Sequence, residues 1–335
     1  MRDVAALAGV SIKTVSRVVN DEAGVSEEVR MRVERAVAQL GYRHNLAASN
    51  LRRGDARTST IGALFQDVSN SYSASLLRSL EDTARQRGIA ILASSLDEEP
   101  DRERALVASL VHRRVDGLVI MPATDRQDYL ADDLRSGLPV VFVDRRPHGI
   151  DTDWVTTDNV KGARMAAEHL AAQGHTRIAF LADLARLQTA RERLDGFTQG
   201  LAEHGLSLAE DMVVMGLRST AEAEDAVLSL LARPGAPTAI FAARNTLAIG
   251  AVQALRTRGL SRRIAIVGFD DFPLAGLLDP PLTVIRQNVY QIGQEVAEIL
   301  FRRMDGDDSP PLHIVVEPQL IVRGSGEIPP SDLRG

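Results

Sequence analysis

The 335-residue chain contains no cysteine, so it has neither a disulfide framework nor a thiolate metal site. No apolar run approaches the ~18 residues that cross a bilayer. The start, Met1-Arg2-Asp3, has no apolar signal region behind it, so a cytoplasmic protein with no membrane partner is expected. Catalytic signatures are missing too: no phosphate-binding glycine-rich loop of either common type, no Gly-x-Ser-x-Gly elbow and no paired-histidine metal motif. The seven histidines are scattered, and the neighbouring acids Asp132-Asp133 and Asp270-Asp271 do not converge on one substrate. No catalytic residue, metal or cofactor is expected, and an enzyme is disfavoured.

What is present is ordinary in amount and uneven in arrangement. At 44% apolar and 25% charged, the chain can bury sizeable cores, and its length suits two or three domains. The net charge of −6 divides into +3 over residues 1–58 and −9 over the remainder. A basic end on an acidic body fits a small anion-binding module attached to a solubilising one.

The basic end carries the most informative stretch. Ser11 is a suitable N-cap for a helix in which Val15, Val18 and Val19 recur on one side, leaving Ile12, Lys13, Ser16 and Arg17 on the other. Asp3-Val4-Ala5-Ala6-Leu7-Ala8 reads as a shorter helix capped by Asp3 and stopped at Gly9, where positive φ lets the chain reverse. This is the helix-turn-helix pattern, whose second helix enters the DNA major groove. After the loop Asp21–Val25, Ser26 caps a third helix with Glu27 and Glu28 in its first turn and Gly41 at its end.

The segment His44–Gly54 supports two readings, a polar linker or a helix of about two turns from Asn45, with Ala48 and Leu51 on one face. Such a helix is too short to persist alone and would form when paired on DNA. From Thr60 the texture becomes alternating. Buried strands are expected at Ile61–Phe65, Ile89–Ser94, Val115–Met121 and Pro139–Val143, with a helix from Tyr72 to Arg87. A second series follows at Arg177–Leu181, Met212–Met215, Thr238–Ala242 and Ile264–Phe269. Continuous apolar strands separated by helices mean parallel sheets covered on both faces, here two doubly wound lobes. A ligand site is expected at the strand C-terminal ends, in the cleft between the lobes.

Asp3-Val4-Ala5 through Ala8-Gly9-Val10-Ser11, with Thr14-Val15-Ser16-Arg17-Val18-Val19-Asn20, closely resembles the headpiece of the LacI/GalR family of bacterial transcriptional regulators. Met1 stands where that family usually has several residues already behind it. In the body, Val115–Ile120, Gly174–Ala179, Val267–Asp271 and Pro281–Ile285 look like family landmarks, so the resemblance covers nearly the whole chain. It implies an all-α helix-turn-helix headpiece joined to an α/β two-lobe body like the periplasmic sugar-binding proteins, with parallel doubly wound sheets. The expected division is a headpiece at 1–58 with a hinge helix at 45–53, an effector and dimerisation domain at 59–327, and a tail at 328–335. Lobe 1 would take about 60–159 and 288–319, lobe 2 about 160–287 and 320–327.

The resemblance also implies roles. Ile12, Lys13 and Arg17 would touch base edges, Arg17 on guanine, while Thr14, Ser16 and Asn20 hold phosphates. Asn45, Ala48 and Leu51 mark the hinge, with Leu51 wedged into a minor-groove base step; His44 stands where a Pro is usual. Ser71, Tyr72, Asp144, Arg145 and Asp158 would meet the effector from the first lobe, and Thr189, Arg193, Arg218, Arg244 and Asp270 from the second. Arg218 and Arg244 depart from the residues many relatives place there. Four inward arginines would favour a carboxylate or phosphate on the ligand, whereas arginines held in salt bridges leave a neutral sugar equally acceptable.

The function expected is a ligand-controlled, sequence-specific repressor. A homodimer would bind pseudo-palindromic operator DNA, and lobe closure on the ligand would shift the hinge spacing by a reciprocal coupling. The tail after Arg323 leaves no room for a heptad helix, which favours a dimer over a tail-built tetramer. The alternatives are a solute-binding protein and a sugar-modifying α/β enzyme.

Overall fold

The computed structural model describes residues 1–19, 22–42 and 58–331. These form two compact units, Met1–Thr58 and Ser59–Gly335.

In the first unit, α1 (Arg2–Ala8), α2 (Ile12–Val19) and α3 (Glu27–Gln39) close around Val4, Ala5, Val15, Val18, Val33 and Ala36. Ser11 caps α2 as expected, its Oγ accepting from the Thr14 amide at 3.1 Å. The cap expected of Asp3 is displaced. Met1 takes the N-cap position and Asp3 falls within the first turn, where its charge still complements the helix dipole. Ser26 occupies the N-cap position of α3, but its side chain makes no cap hydrogen bond. Gly9 adopts φ 63°, and Arg32 from α3 donates to the carbonyls of Ala8 and Gly9, satisfying the end of α1.

The second unit contains two six-stranded sheets. In chain order its elements begin with β1 (Thr60–Phe65), α4 (Ser71–Gln86), β2 (Ala90–Ser95), α5 (Pro100–His112), β3 (Leu118–Ile120), α6 (Ala131–Arg135), β4 (Val140–Val143) and β5 (Asp153–Thr157). The next series is α7 (Asn159–Ala172), β6 (Ile178–Leu181), α8 (Gln188–Glu203), β7 (Val213–Val214), α9 (Thr220–Leu231), β8 (Ala239–Ala242), α10 (Asn245–Thr257), β9 (Ala265–Phe269) and β10 (Thr283–Arg286). Then come α11 (Val289–Met304), β11 (His313–Val316) and β12 (Gln319–Ile321).

The first sheet has the order β11-β5-β4-β3-β1-β2 and is parallel throughout. The second, β12-β10-β9-β8-β6-β7, is parallel except that β12 runs antiparallel to β10. The sheets are thus parallel as expected, with one antiparallel edge strand. The chain enters β12 directly from β11 of the other sheet, without the helical crossover that a parallel pairing requires.

Strand residues alternate between two cores, which explains their continuous apolar character. Ile61, Ala63 and Phe65 face α4 and α11 through Leu76, Leu80, Ile292, Val296 and Leu300, while Leu64 joins Leu110, Leu118 and Ile120 on the opposite side. Against the second sheet, Phe180, Phe197, Phe241 and Phe269 pack in one cluster, Phe197 stacking on Phe241, and α7 lies against α8 at small residues. A Cβ on Gly196 would come within 2.1 Å of the Val160 carbonyl oxygen, so only glycine permits that approach. Residues 328–331 are docked on this lobe: the Ile328 carbonyl lies 2.8 Å from buried His175 Nε2, and Ser331 Oγ donates to the Arg263 carbonyl.

The chain crosses between the sheets three times, at 157–159, 286–289 and 316–319. Two crossings are tied together and to the cleft, because Thr157 Oγ1 donates to Gln287 Oε1 and Gln287 Nε2 donates to Asp270 Oδ1 at 2.6 Å.

Candidate functional site

In the second unit, most strands point their C-terminal ends at a cavity between the two sheets. Gln66 follows β1, Met121 follows β3, Asp144 follows β4, and Asp183, Arg244, Asp270 and Gln287 follow β6, β8, β9 and β10 at close range. This is where open α/β sheets collect ligands, since loops there are released from sheet pairing. Asp144 and Asp270 take equivalent places in the two lobes, both with left-handed backbone, φ 69° and 72°. Aspartate tolerates that region better than most residues, and each turn is pinned by its amide: Asp144 to the Val155 carbonyl and Asp270 to that of Ile285.

The cavity holds buried charge in nearly matched pairs. Arg145 is 7% exposed; its Nη1 and Nη2 donate to Glu98 Oε2 and Oε1 at 2.8 and 2.6 Å, and Nη1 also to the Pro122 carbonyl. Burial opposes its charge, but Glu98 and Asp144 more than compensate and push its pKa up. Arg244 donates to Asp183 Oδ2 at 2.5 Å and to Gln66 Oε1 at 2.9 Å, so it ties the second lobe to the first. Arg193 lies 3.7 Å over the Phe269 ring and donates to Asn159 Oδ1 and the Ala243 carbonyl.

Two donors remain unanswered. The Tyr72 hydroxyl is buried and has no hydrogen-bond partner among the described residues. Burial first, then the carboxylates of Asp144 and Asp270, push its pKa well above the ordinary value, so it stays protonated. Arg145 Nε also lacks a hydrogen bond, standing 3.5 Å from Asp144 Oδ2. Burial raises the Asp144 carboxyl pKa, Arg145 and Arg193 oppose the shift, and Asp270 adds to it.

Across the cleft the lobes are joined by polar pairs. Asn70 and Asn245 exchange side-chain hydrogen bonds at 3.0 and 3.1 Å, and Asn245 Nδ2 also donates to Ser71 Oγ. Arg186 of the second lobe donates to the Ala123 and Glu98 carbonyls of the first.

Of the residues expected to meet the effector, Tyr72, Asp144, Arg145, Thr189, Arg193, Arg244 and Asp270 line this cavity together. Three do not. Ser71 sits at the rim and is engaged by Asn245. Asp158 caps α7, its Oδ1 accepting from the Lys161 amide at 2.8 Å, because the chain turns straight from β5 into that helix. Arg218 lines a neighbouring cavity and reaches the Asp97 carbonyl at 3.5 Å. Sequence reasoning missed Gln66, Asn70, Asp183, Asn245 and Gln287; position just past a strand end is the signal that marks Gln66, Asp183 and Gln287, whereas Asn70 caps α4 and Asn245 opens α10.

In the first unit, Ile12, Lys13 and Arg17 are exposed on the face of α2 opposite Val15 and Val18, with Thr14 and Ser16 half-buried beside them. Asn20, Asn45, Ala48 and Leu51, and with them the expected hinge helix, lie outside the described residues. Among the described residues no helix is long and apolar enough to cross a membrane, and no cluster of side chains suits a metal ion.

Comparison with known proteins places this geometry. Residues 1–45 match the model for bacterial regulatory proteins of the lacI family, and residues 167–326 match a periplasmic binding protein-like domain. The HTH-type transcriptional regulator DegA of Bacillus subtilis is 32% identical over 328 residues, covering 96% of both chains. The chain belongs to the lacI family. The ribose operon repressor of Escherichia coli K12 is 31% identical, covering 97% of this chain and 99% of the repressor. A crystal structure of the lac repressor dimer bound to operator and the anti-inducer ONPF is 29% identical, with a TM-score of 0.84 over 97% of this chain and 98% of that one. The lacI family consists of DNA-binding transcriptional regulators rather than enzymes, and this chain is one of them.

Proposed function

We propose that the chain is a homodimeric, cytoplasmic repressor whose affinity for a specific operator is set by a neutral, polyhydroxylated molecule held between the lobes. The observation that carries this reading is the unpartnered Tyr72 hydroxyl in a charge-balanced cavity. The three cavity guanidiniums face three carboxylates, and Glu98 behind Arg145 supplies a fourth. A carboxylate or phosphate ligand would add negative charge where none is lacking. A sugar brings acceptors for Tyr72 Oη and Arg145 Nε, and hydroxyl donors for Asp144 and Asp270.

The DNA-reading unit is residues 1–58. Helix α2 enters the major groove with Ile12, Lys13 and Arg17 at base edges, while Thr14, Ser16 and Asn20 hold phosphates. Asn45, Ala48 and Leu51 form the hinge, with Leu51 as the minor-groove wedge. Residues 59–327 bind the effector and dimerise, as the dimeric lac repressor relative does.

The test is a fluorescence-anisotropy titration on DNA upstream of the protein's own gene and its neighbours, at two salt concentrations, with wild type and Leu51→Ala and with a panel of sugars, sugar acids and sugar phosphates. The expected result is tight binding, weakened by the substitution and shifted by a neutral sugar. Weak, sequence-blind binding would refute the operator reading. A response confined to sugar acids or sugar phosphates would refute the neutral ligand.

A further inference from the structure

A second cleft lies between the lobes and shares only Arg145 with the central cavity. One wall is residues 122–125 and 145–148 of the first lobe, the other residues 186–191 of the second. Four guanidiniums and the His148 imidazole line it against a single exposed carboxylate, Asp125. Two of the guanidiniums are neutralised, Arg145 by Glu98 and Arg146 by Glu192. Arg186 donates only to the carbonyls of Ala123 (2.8 Å) and Glu98 (2.5 Å). Arg191 donates only to those of Ala185 (3.3 Å) and Arg186. Neither has a carboxylate partner among the described residues, in contrast to the matched pairs of the central cavity.

The walls of this cleft are held in place. Fully buried Glu103 accepts from the Thr124 amide at 3.0 Å and hydroxyl at 2.8 Å, fixing the loop that carries Asp125. Buried Gln127 accepts the His148 amide on its Oε1 at 2.6 Å, while its own amide donates to the His148 carbonyl at 2.9 Å. The guanidiniums of Arg186 and Arg191 are themselves each held on two carbonyls, so they lose little freedom when they bind.

We propose that this cleft is a site for a phosphate group, separate from the central cavity. Arg186 and Arg191 supply forked donors suited to phosphate oxygens, with Arg146 and His148 opposite. Because the two walls belong to different lobes, an occupant draws them together. It therefore raises affinity in the central cavity, and a central ligand raises phosphate affinity by the same factor. The phosphate comes either as the free ion or on a small phosphomonoester.

The chain's single tryptophan is a built-in reporter, since the Arg146 guanidinium lies 5.9 Å from the Trp154 ring centroid. The experiment titrates the full-length protein with sodium phosphate and with glycerol 3-phosphate at constant ionic strength set by chloride, by isothermal calorimetry with Trp154 fluorescence alongside. Saturable binding is expected, weakened about tenfold or more by Arg191→Gln and by Arg186→Gln, and unchanged by Arg218→Gln. Arg191 is exposed and bonds only to nearby carbonyls, so its variant keeps the fold. Tighter binding of glycerol 3-phosphate supports a phosphomonoester as occupant, and equal binding supports the free ion. Calorimetry without saturation overturns the proposal. So does binding that Arg191→Gln leaves intact, or that Arg244→Gln alone abolishes, because the ion would then sit in the central cavity.

Discussion

A buried arginine is tolerated only where its charge is answered, and Arg145 is answered by a residue with a strained backbone. Asp97 and Glu98 are consecutive non-glycine residues at φ 53° and 59°, a conformation that aims Glu98 at the guanidinium. Glu98→Gln removes the two-point carboxylate partner and leaves the buried cation only the weaker contact with Asp144 at 3.5 Å, so a loss of ~3–5 kcal/mol is expected in urea unfolding. Asp270 is held by Gln287 yet keeps acceptor capacity toward the cavity, so Asp270→Asn is expected to weaken the effector about tenfold or more by calorimetry. His175 sets a pH limit. Burial lowers its pKa against the opposing bond from Ile328, so the folded protein keeps it neutral below the ordinary value of 6.5. As pH falls past that value the unfolded chain takes up the proton first. Stability is therefore full above about 6.5 and declines with acidification, and thermal melts should show this slope flattened in His175→Gln.

At the scale of elements, close contacts turn on where a side chain is absent. In α1, Gly9 accepts the left-handed turn, and a Cβ there would lie 2.9 Å from Arg32 Nη2. Gly9→Ala is expected to cost the headpiece about 1 kcal/mol or more, read as weaker operator binding with effector affinity unchanged. The elements were legible to different degrees for physical reasons. β1, β4, β8 and β9 are covered on both faces, so their apolar runs announce them. β11 and β12 are short, half-exposed edge strands with mixed sequences, His313–Val316 and Gln319–Ile321, and periodicity has nothing to count there. Asp3 and Asp158 show a further limit. An acid near an element boundary reads as a cap or as a ligand group from sequence, and only the turn that follows decides which.

For the whole molecule, the central question is how firmly the lobes are closed. Asn70–Asn245 and Arg244–Gln66 bridge the cleft on side chains alone. Asn245→Ala is expected to loosen that closure, seen as a larger radius of gyration for the ligand-free protein in small-angle scattering and restored by a saturating effector. The cavity was partly legible because Asp144, Arg145 and Asp270 interrupt apolar runs at strand ends. Its electrostatic character was not. Glu98 and Asp183 neutralise arginines brought in by distant segments, and a linear count of four arginines cannot see those partners. That pairing is what turns an apparently anion-seeking cleft into a balanced one.

The three crossings between the sheets also bear on synthesis. β11 and α11 complete the first lobe, yet they follow every strand of the second except β12. While the ribosome is still making residues up to Arg286, the outer edge of β5 has no neighbour and the surface that Ile292, Val296 and Leu300 will cover stays wet. The nascent first lobe therefore has to wait for the second to be translated, exposing a strand edge and apolar surface of the kind that chaperones recognise.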